Sequence, residues 1–226
     1  MLRLHAPVSL AISFTLICAA APPPAAHKTH SPTRPAVARK RPAVPVPPPA
    51  FYRVTLDTTK GPVLIDVTRD WSPNGADRFY KLVKDGFYDG ARFFRIVPGF
   101  VVQFGIPGNP DFNRKWSSTI ADDPVKQSNT RGYVSFAKLD RKDSRTTQVF
   151  FNLGDNARLD AMGFAPFGLV SSGMEIVEQF NSEYGEEPDQ KQAEREGNAY
   201  LQKDFPNLDY IRHAKVEKLD GPPSTP

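Results

Sequence analysis

Phe93–Gly105 reads F-F-R-I-V-P-G-F-V-V-Q-F-G, and the fold turns on how it is read. It is the most apolar run in the last two-thirds of the chain. Two strongly hydrogen-bonding side chains, Arg95 and Gln103, interrupt it. A charged group is seldom fully buried without a partner. Arg95, set among Phe93, Phe94, Ile96 and Val97, therefore has a carboxylate partner, points to the surface, or serves a site. Pro98-Gly99 breaks the run, so it reads as two short strands joined by a turn. On these residues alone, an ordinary hairpin with Arg95 snorkelling to water and Gln103 on a wet face is as good a reading as a functional one.

The same stretch resembles the signature of the cyclophilins, F-[HFY]-R-[IV]-[IV]-x-x-F-x-x-Q-x-G. Every fixed position is present: Phe93, Arg95, Ile96, Val97, Phe100, Gln103 and Gly105. Other segments carry the resemblance further. Phe87-Tyr88-Asp89-Gly90 precedes the stretch. Ser135-Phe136-Ala137-Lys138 and Thr147-Gln148-Val149-Phe150-Phe151 match two family segments with conservative changes. Leu159–Gly168 resembles a third. Together these span about residues 51–218.

Composition narrows the chemistry. The 226 residues carry a formal charge of +4, unevenly placed. Residues 1–50 hold no Asp or Glu but contain Arg3, Lys28, Arg34, Arg39, Lys40 and Arg41, which leaves 23 basic against 25 acidic groups in the rest. A nucleic-acid domain carries its basic excess on the folded part, so no nucleic-acid partner is expected. The one cysteine is Cys18, and three of four histidines (His5, His27, His30) lie in the leader, leaving His213. A zinc site, a Cys-His pair or a Ser-His-Asp triad needs more than that. The reading expects no metal and no cofactor.

Residues 1–21 read as a secretory signal: Arg3, an apolar core from Val8 to Ala20, then small residues. Cleavage near Ala19–Ala21 is expected, with lipid attachment at Cys18 or an uncleaved anchor as the other readings. Residues 22–50, rich in Pro, Ala and basic groups, read as a disordered linker. It serves as a spacer or, through Arg39-Lys40-Arg41, as an electrostatic contact with the cell envelope. Residues 51–220 form the domain and 221–226 a disordered tail. The protein is expected to be exported, periplasmic or envelope-associated, and monomeric.

Within the domain, Tyr52–Thr58 and Pro62–Val67 alternate around Lys60-Gly61 as a hairpin. Ser72-Pro73 opens a helix, with Ser72 as its N-cap, Ala76, Phe79, Tyr80 and Val83 on one face, and Gly86 ending it. Residues 106–130 read as loop, with Asp122-Asp123 solvated. Gly132–Ala137 and Thr147–Leu153 read as strands, Ser172–Phe180 and Pro188–Asp204 as helices, and Tyr210–Leu219 as a closing strand. The resemblance implies a mainly β fold: a closed eight-stranded antiparallel barrel with two or more packed helices.

It also implies peptidyl-prolyl cis/trans isomerase activity on proline-containing polypeptides. Rotating an amide costs about 18–20 kcal/mol, and uncatalysed X–Pro exchange takes tens to hundreds of seconds. A turnover of order 10³ per second asks for about 7 kcal/mol of transition-state stabilisation. Arg95 would donate to the twisted imide from a rigid, permanently charged fork. One charge-assisted hydrogen bond contributes about 1.5–3 kcal/mol, so an apolar pocket must supply the remainder. The resemblance implies Arg95 and Gln103 as catalytic residues. It puts the substrate against Phe100, Val101, Ala137, Lys138, Gln148, Phe150, Leu159 and Phe164. Strict alternation sets Phe100 on the face opposite Val101 and Gln103, unless the Pro98-Gly99 irregularity reconciles them. Val101 replaces the family's pocket methionine, Phe164 a histidine, and Arg158 the tryptophan of cyclosporin-sensitive members, so weak or no cyclosporin binding is expected. The rival reading is a proline-peptide-binding, chaperone-like module with little turnover; a weaker one makes the basic leader the working part.

Overall fold

The computed structural model describes residues 47–223. The expected signal, most of the linker and the end of the tail lie outside the described residues. No helix among the described residues is long and apolar enough to cross a membrane.

Eight antiparallel strands form one sheet curled into a half-barrel: β1 (Phe51–Thr58), β2 (Gly61–Thr68), β3 (Arg95–Val97), β4 (Val101–Phe104), β5 (Tyr133–Phe136), β6 (Val149–Asn152), β7 (Pro166–Ser172) and β8 (Ile211–Lys218). The order across the sheet is β3-β4-β6-β5-β7-β2-β1-β8. No ladder joins the two edges, β3 and β8. Their approaches are stitched instead by backbone bonds from Gly90 N to Ile211 O (2.8 Å), Ile211 N to Ala91 O (2.9 Å) and Phe93 N to Asp209 O (3.0 Å).

Among the described residues six α-helices decorate the sheet: α1 (Pro73–Lys84), α2 (Pro110–Lys115), α3 (Arg158–Ala161), α4 (Met174–Val177), α5 (Gln190–Glu196) and α6 (Asn198–Asp204). Only α1 is long. Its Ala76, Phe79, Leu82 and Val83 pack into the same cluster as Val54, Ile65, Phe104 and Phe167. The aromatic rings Phe93, Phe104, Phe151 and Phe180 fill the centre of that core, with Phe93 and Phe180 stacked at 4.0 Å.

Several expectations are corrected here. Ser72 makes no side-chain cap for α1. The cap comes from Asp123, whose carboxylate accepts from Asn74 N (3.1 Å), Gly75 N (3.0 Å) and Ser72 Oγ (2.6 Å). Asp123 is therefore not solvated: it is buried and paired at 2.9 Å with Arg145, itself 1% exposed. Burial would raise the Asp123 carboxyl, but the hydrogen bonds from Ser72, the Gly75 and Asn74 amides and Arg145 outweigh it and hold it below the usual range. The loop at 106–130 contains α2. The long helix expected over Pro188–Asp204 is two, α5 and α6. Gly197 divides them at φ +60, and a Cβ there would sit 2.3 Å from Gly108 O. Chain approach at that point admits only glycine. Residues 166–172 form β7, a strand the sequence reading did not anticipate.

Candidate active site

Arg95 and Gln103 are directly opposite in the β3–β4 ladder, Gln103 opposite Phe150 in β4–β6, and Phe150 opposite Ser135 in β5–β6. Opposed residues share a face, so one row of side chains crosses four strands. The adjacent row, Ile96, Val102, Phe151 and Val134, goes into the core. Simple alternation thus explains an arginine between apolar neighbours. Ile96 points inward, and Arg95 points out onto the other face of the sheet.

On that outer face stands a second apolar cluster, separate from the core. Val101, Phe150 and Leu159 are its buried floor; Phe100, Ala137 and Phe164 are half-buried walls. Phe100 precedes β4, in the turn where Gly99 takes φ +72 and Phe100 N donates to Val97 O at 2.9 Å. Strand alternation does not govern it there, and it joins Val101 on one side. The Pro98-Gly99 irregularity does reconcile the two.

Buried amides hold the walls in place. Asn156 Nδ2 donates to Phe100 O at 2.9 Å and Asn129 Nδ2 to Phe164 O at 2.8 Å. Asn129 also donates to Asp160 Oδ1, and Ser135 Oγ to Asn129 Oδ1, both at 2.7 Å. Burial pushes the Asp160 carboxyl up, and donors from Ser128 and Asn129 bring it below its ordinary value. A polar network this well satisfied is rigid, and it fixes α3 and the segment leading to Phe164.

Arg95 lies beside this cluster, its guanidinium carbon 5.7 Å from the centre of the Phe100 ring. Its Nε donates to Glu186 Oε1 at 2.6 Å and its Nη1 to Gln103 Oε1 at 3.2 Å. Its Nη2 lies 2.5 Å from the same Glu186 oxygen, which leaves one N–H on each terminal nitrogen of the five-donor fork. The side chain is 22% exposed, Glu186 62%. The chain continues: Gln103 Nε2 donates to Gln148 Oε1 at 2.7 Å, and Gln148 Nε2 to Glu194 Oε1 at 3.1 Å. Sequence reasoning missed both glutamates. They come from the segment after Phe180, and no local pattern links them to Arg95 or Gln148.

The remaining expected residues are at the rim. Ala137 N donates to Gln148 O at 2.9 Å. Lys138 Nζ lies 3.3 Å from Asp122 Oδ2 and 5.9 Å from the centre of the Phe164 ring. Arg158 lays its guanidinium 4.5 Å from the Phe100 ring centre. Of the ten expected site residues, Phe100, Val101, Ala137, Phe150, Leu159 and Phe164 form one apolar cluster; Arg95 lies against Phe100 and Lys138 against Phe164, and Gln103 and Gln148 are hydrogen-bonded in a chain from Arg95. A hollow of about 220 Å³, bounded by Phe51, Trp71, Leu169 and Pro222 among others, shares no residue with this set. Its acid, Asp66, is already closed by Arg53 at 2.6 Å.

Known proteins resemble this chain in sequence and in fold. The family model described as "Cyclophilin type peptidyl-prolyl cis-trans isomerase/CLD" matches residues 53–198. Peptidyl-prolyl cis-trans isomerase A of Dickeya dadantii is 34% identical over 148 residues, covering 59% of this chain and 75% of that protein. A peptidyl-prolyl cis-trans isomerase of Acinetobacter baylyi is 35% identical over 136 residues, covering 56% and 70%. Among solved structures, a Cryptosporidium parvum cyclophilin superposes with a TM-score of 0.56 at 18% identity, covering 74% of this chain and 99% of the other. The family match extends over more than half of the sequence, and the chain belongs to the cyclophilin-type peptidyl-prolyl cis-trans isomerases.

Proposed function

We propose that this isomerase turns X–Pro bonds of exported polypeptides and so assists their folding, with Arg95 stabilising the twisted imide. The observation that carries this reading is the adjacency of a partly open guanidinium and an apolar cluster on the same face of the sheet. The apolar surface of Val101, Phe150, Leu159 and Phe164 suits a five-membered ring. In the twisted state the prolyl nitrogen regains a lone pair, and Arg95 donates to it or to the neighbouring carbonyl. Gln103 holds the fork on one side and Glu186 on the other. A preorganised donor of this kind is worth about 10²–10³ in turnover; desolvation of the imide against that surface supplies the rest. The Cryptosporidium cyclophilin was crystallised in the presence of the dipeptide Ala-Pro, which supports proline-containing peptides as substrates.

NMR exchange on a proline tetrapeptide tests the reading. Wild type should accelerate exchange and Arg95→Ala should lose most of it; retained turnover in the variant overturns the mechanism. The rival reading, a proline-binding module with little turnover, draws on Arg158 covering Phe100. It predicts line broadening from binding without faster exchange in wild type. Arg158 also underlies the proposal of weak cyclosporin affinity, which Arg158→Trp should raise. Export rests on residues 1–21, and fractionation of cells making the full chain decides it: retention in the cytosol overturns it.

A further inference from the structure

Gln103 and Gln148 link Arg95 to Glu194 by three consecutive hydrogen bonds, and the chemistry of the two ends fixes the direction of every bond between them. Arginine can only donate, and a carboxylate can only accept. Each glutamine amide between them does both, through opposite atoms. Arg95 Nη1 must therefore meet Gln103 Oε1, which turns Gln103 Nε2 to Gln148 Oε1, which turns Gln148 Nε2 to Glu194. Reversing Gln103 would set donor against donor at Arg95, and reversing Gln148 would set acceptor against acceptor at Glu194.

Glu194 is held where this requires. Its neighbour Ala193 is fully buried with Phe94, Ile106, Tyr200 and Leu201. Asp189 caps α5 by accepting from Gln192 N at 2.7 Å, and Asn113 Nδ2 donates to Glu194 O at 3.3 Å. The helix is pinned on several sides, and one side chain reaches over Gln148.

We propose that Glu194 is a positioning residue for the isomerase: an acceptor-only end that locks the amide polarity of Gln148 and Gln103, and so the orientation of the Arg95 fork. This rests on the reading of Arg95 as the group that drives turnover. Glu194 touches no substrate and acts through two side chains.

A parity experiment tests it on the full chain. Glu194→Lys puts a donor-only group at the end and calls for reversed amides, which would face Gln103 Nε2 to Arg95. Glu194→Gln keeps an acceptor in place. Lysine should lower kcat about tenfold, the loss of one hydrogen bond to a charged group, with KM little changed. Glutamine should recover most of that loss. Unfolding midpoints for both variants should stay near wild type, because the exchanged group is half-exposed. Equal kcat in all three proteins overturns the inference, as does an equal loss in both variants or a change confined to KM. Arg95→Ala, assayed alongside, separates the two levels. If it keeps its turnover, the reading of the site falls and this inference with it. If it loses turnover while Glu194→Lys does not, the inference alone falls.

Discussion

Arg95 and Arg145 are both arginines drawn into apolar protein and both paired with acids, and they do opposite things. Arg145 is 1% exposed. Its Nη2 donates to Asp123 Oδ2 and to the Ala121 carbonyl, its Nη1 to Ser72 Oγ, and its Nε lies 3.5 Å from Asp122 Oδ1. It ties the loop after Thr119 to the start of α1. Arg95 is partly open, is held by Glu186 and Gln103, and lies beside the Phe100 wall of the outer apolar cluster. A cation enclosed by protein holds structure; one left partly open beside an apolar cluster can act on a ligand. Burial and pairing alone do not distinguish the two.

Truncating each arginine is the sharpest way to break this contrast. Arg145→Ala leaves Asp123 buried without its cation and should cost about 3–5 kcal/mol, measured by denaturant unfolding. Its turnover per folded molecule should fall far less than that of Arg95→Ala. Arg95→Ala should lower kcat/KM by about 10²-fold, or ~2.7 kcal/mol, with an unfolding midpoint near wild type. If both variants lose stability, or both lose turnover, the division of labour fails.

Acid sharpens the structural side of the pair. The folded Asp123 carboxyl titrates below its unfolded value, so its contribution is whole above about pH 3.9. That contribution drains as pH falls through the folded value. Asp123→Asn should therefore be less stable than wild type at pH 7, and the gap should narrow at pH 3; a constant gap refutes the linkage. The smallest effect is expected at Glu186. It is 62% exposed, and exposed pairs are worth about 0.2–1 kcal/mol. Glu186→Gln should change kcat/KM by about fivefold at most in a peptide isomerisation assay, and a loss near that of Arg95→Ala would move Glu186 to the centre of the mechanism.

The same contrast marks how much could be read from residues alone. Arg95, Gln103, Phe100 and Val101 lie within one short window, and the period-two alternation there delivers both the strand pair and the face that carries the site. Phe150, Leu159 and Phe164 were singled out through segment resemblance, the β1–β2 hairpin through its Lys60-Gly61 turn, and α1 through Pro73 and its apolar face. Other features are set by partners remote in sequence. Asp123 caps a helix 48 residues earlier, and neither end of that contact advertises the other. Glu186 reaches Arg95 across 91 residues. β7 escaped because Pro166 and Gly168 argue against a strand interior, whereas its first five residues are buried on both faces of the sheet. Gly197 looked like a helical glycine until the nearby Gly108 carbonyl showed why the chain must turn there.

The placement of β8 has a bearing on how the molecule is made. Tyr52 pairs with Lys218 and Leu56 with Ala214, so the first strand of the domain waits for the last. Contacts this far apart in sequence close slowly. During synthesis β1 and β2 can zip together early, yet one flank of β1 stays bare until Ile211 and its successors leave the ribosome. A nascent chain stalled short of that point offers an open strand edge to any extended neighbour. Its safe passage depends on the final residues of the domain arriving on time.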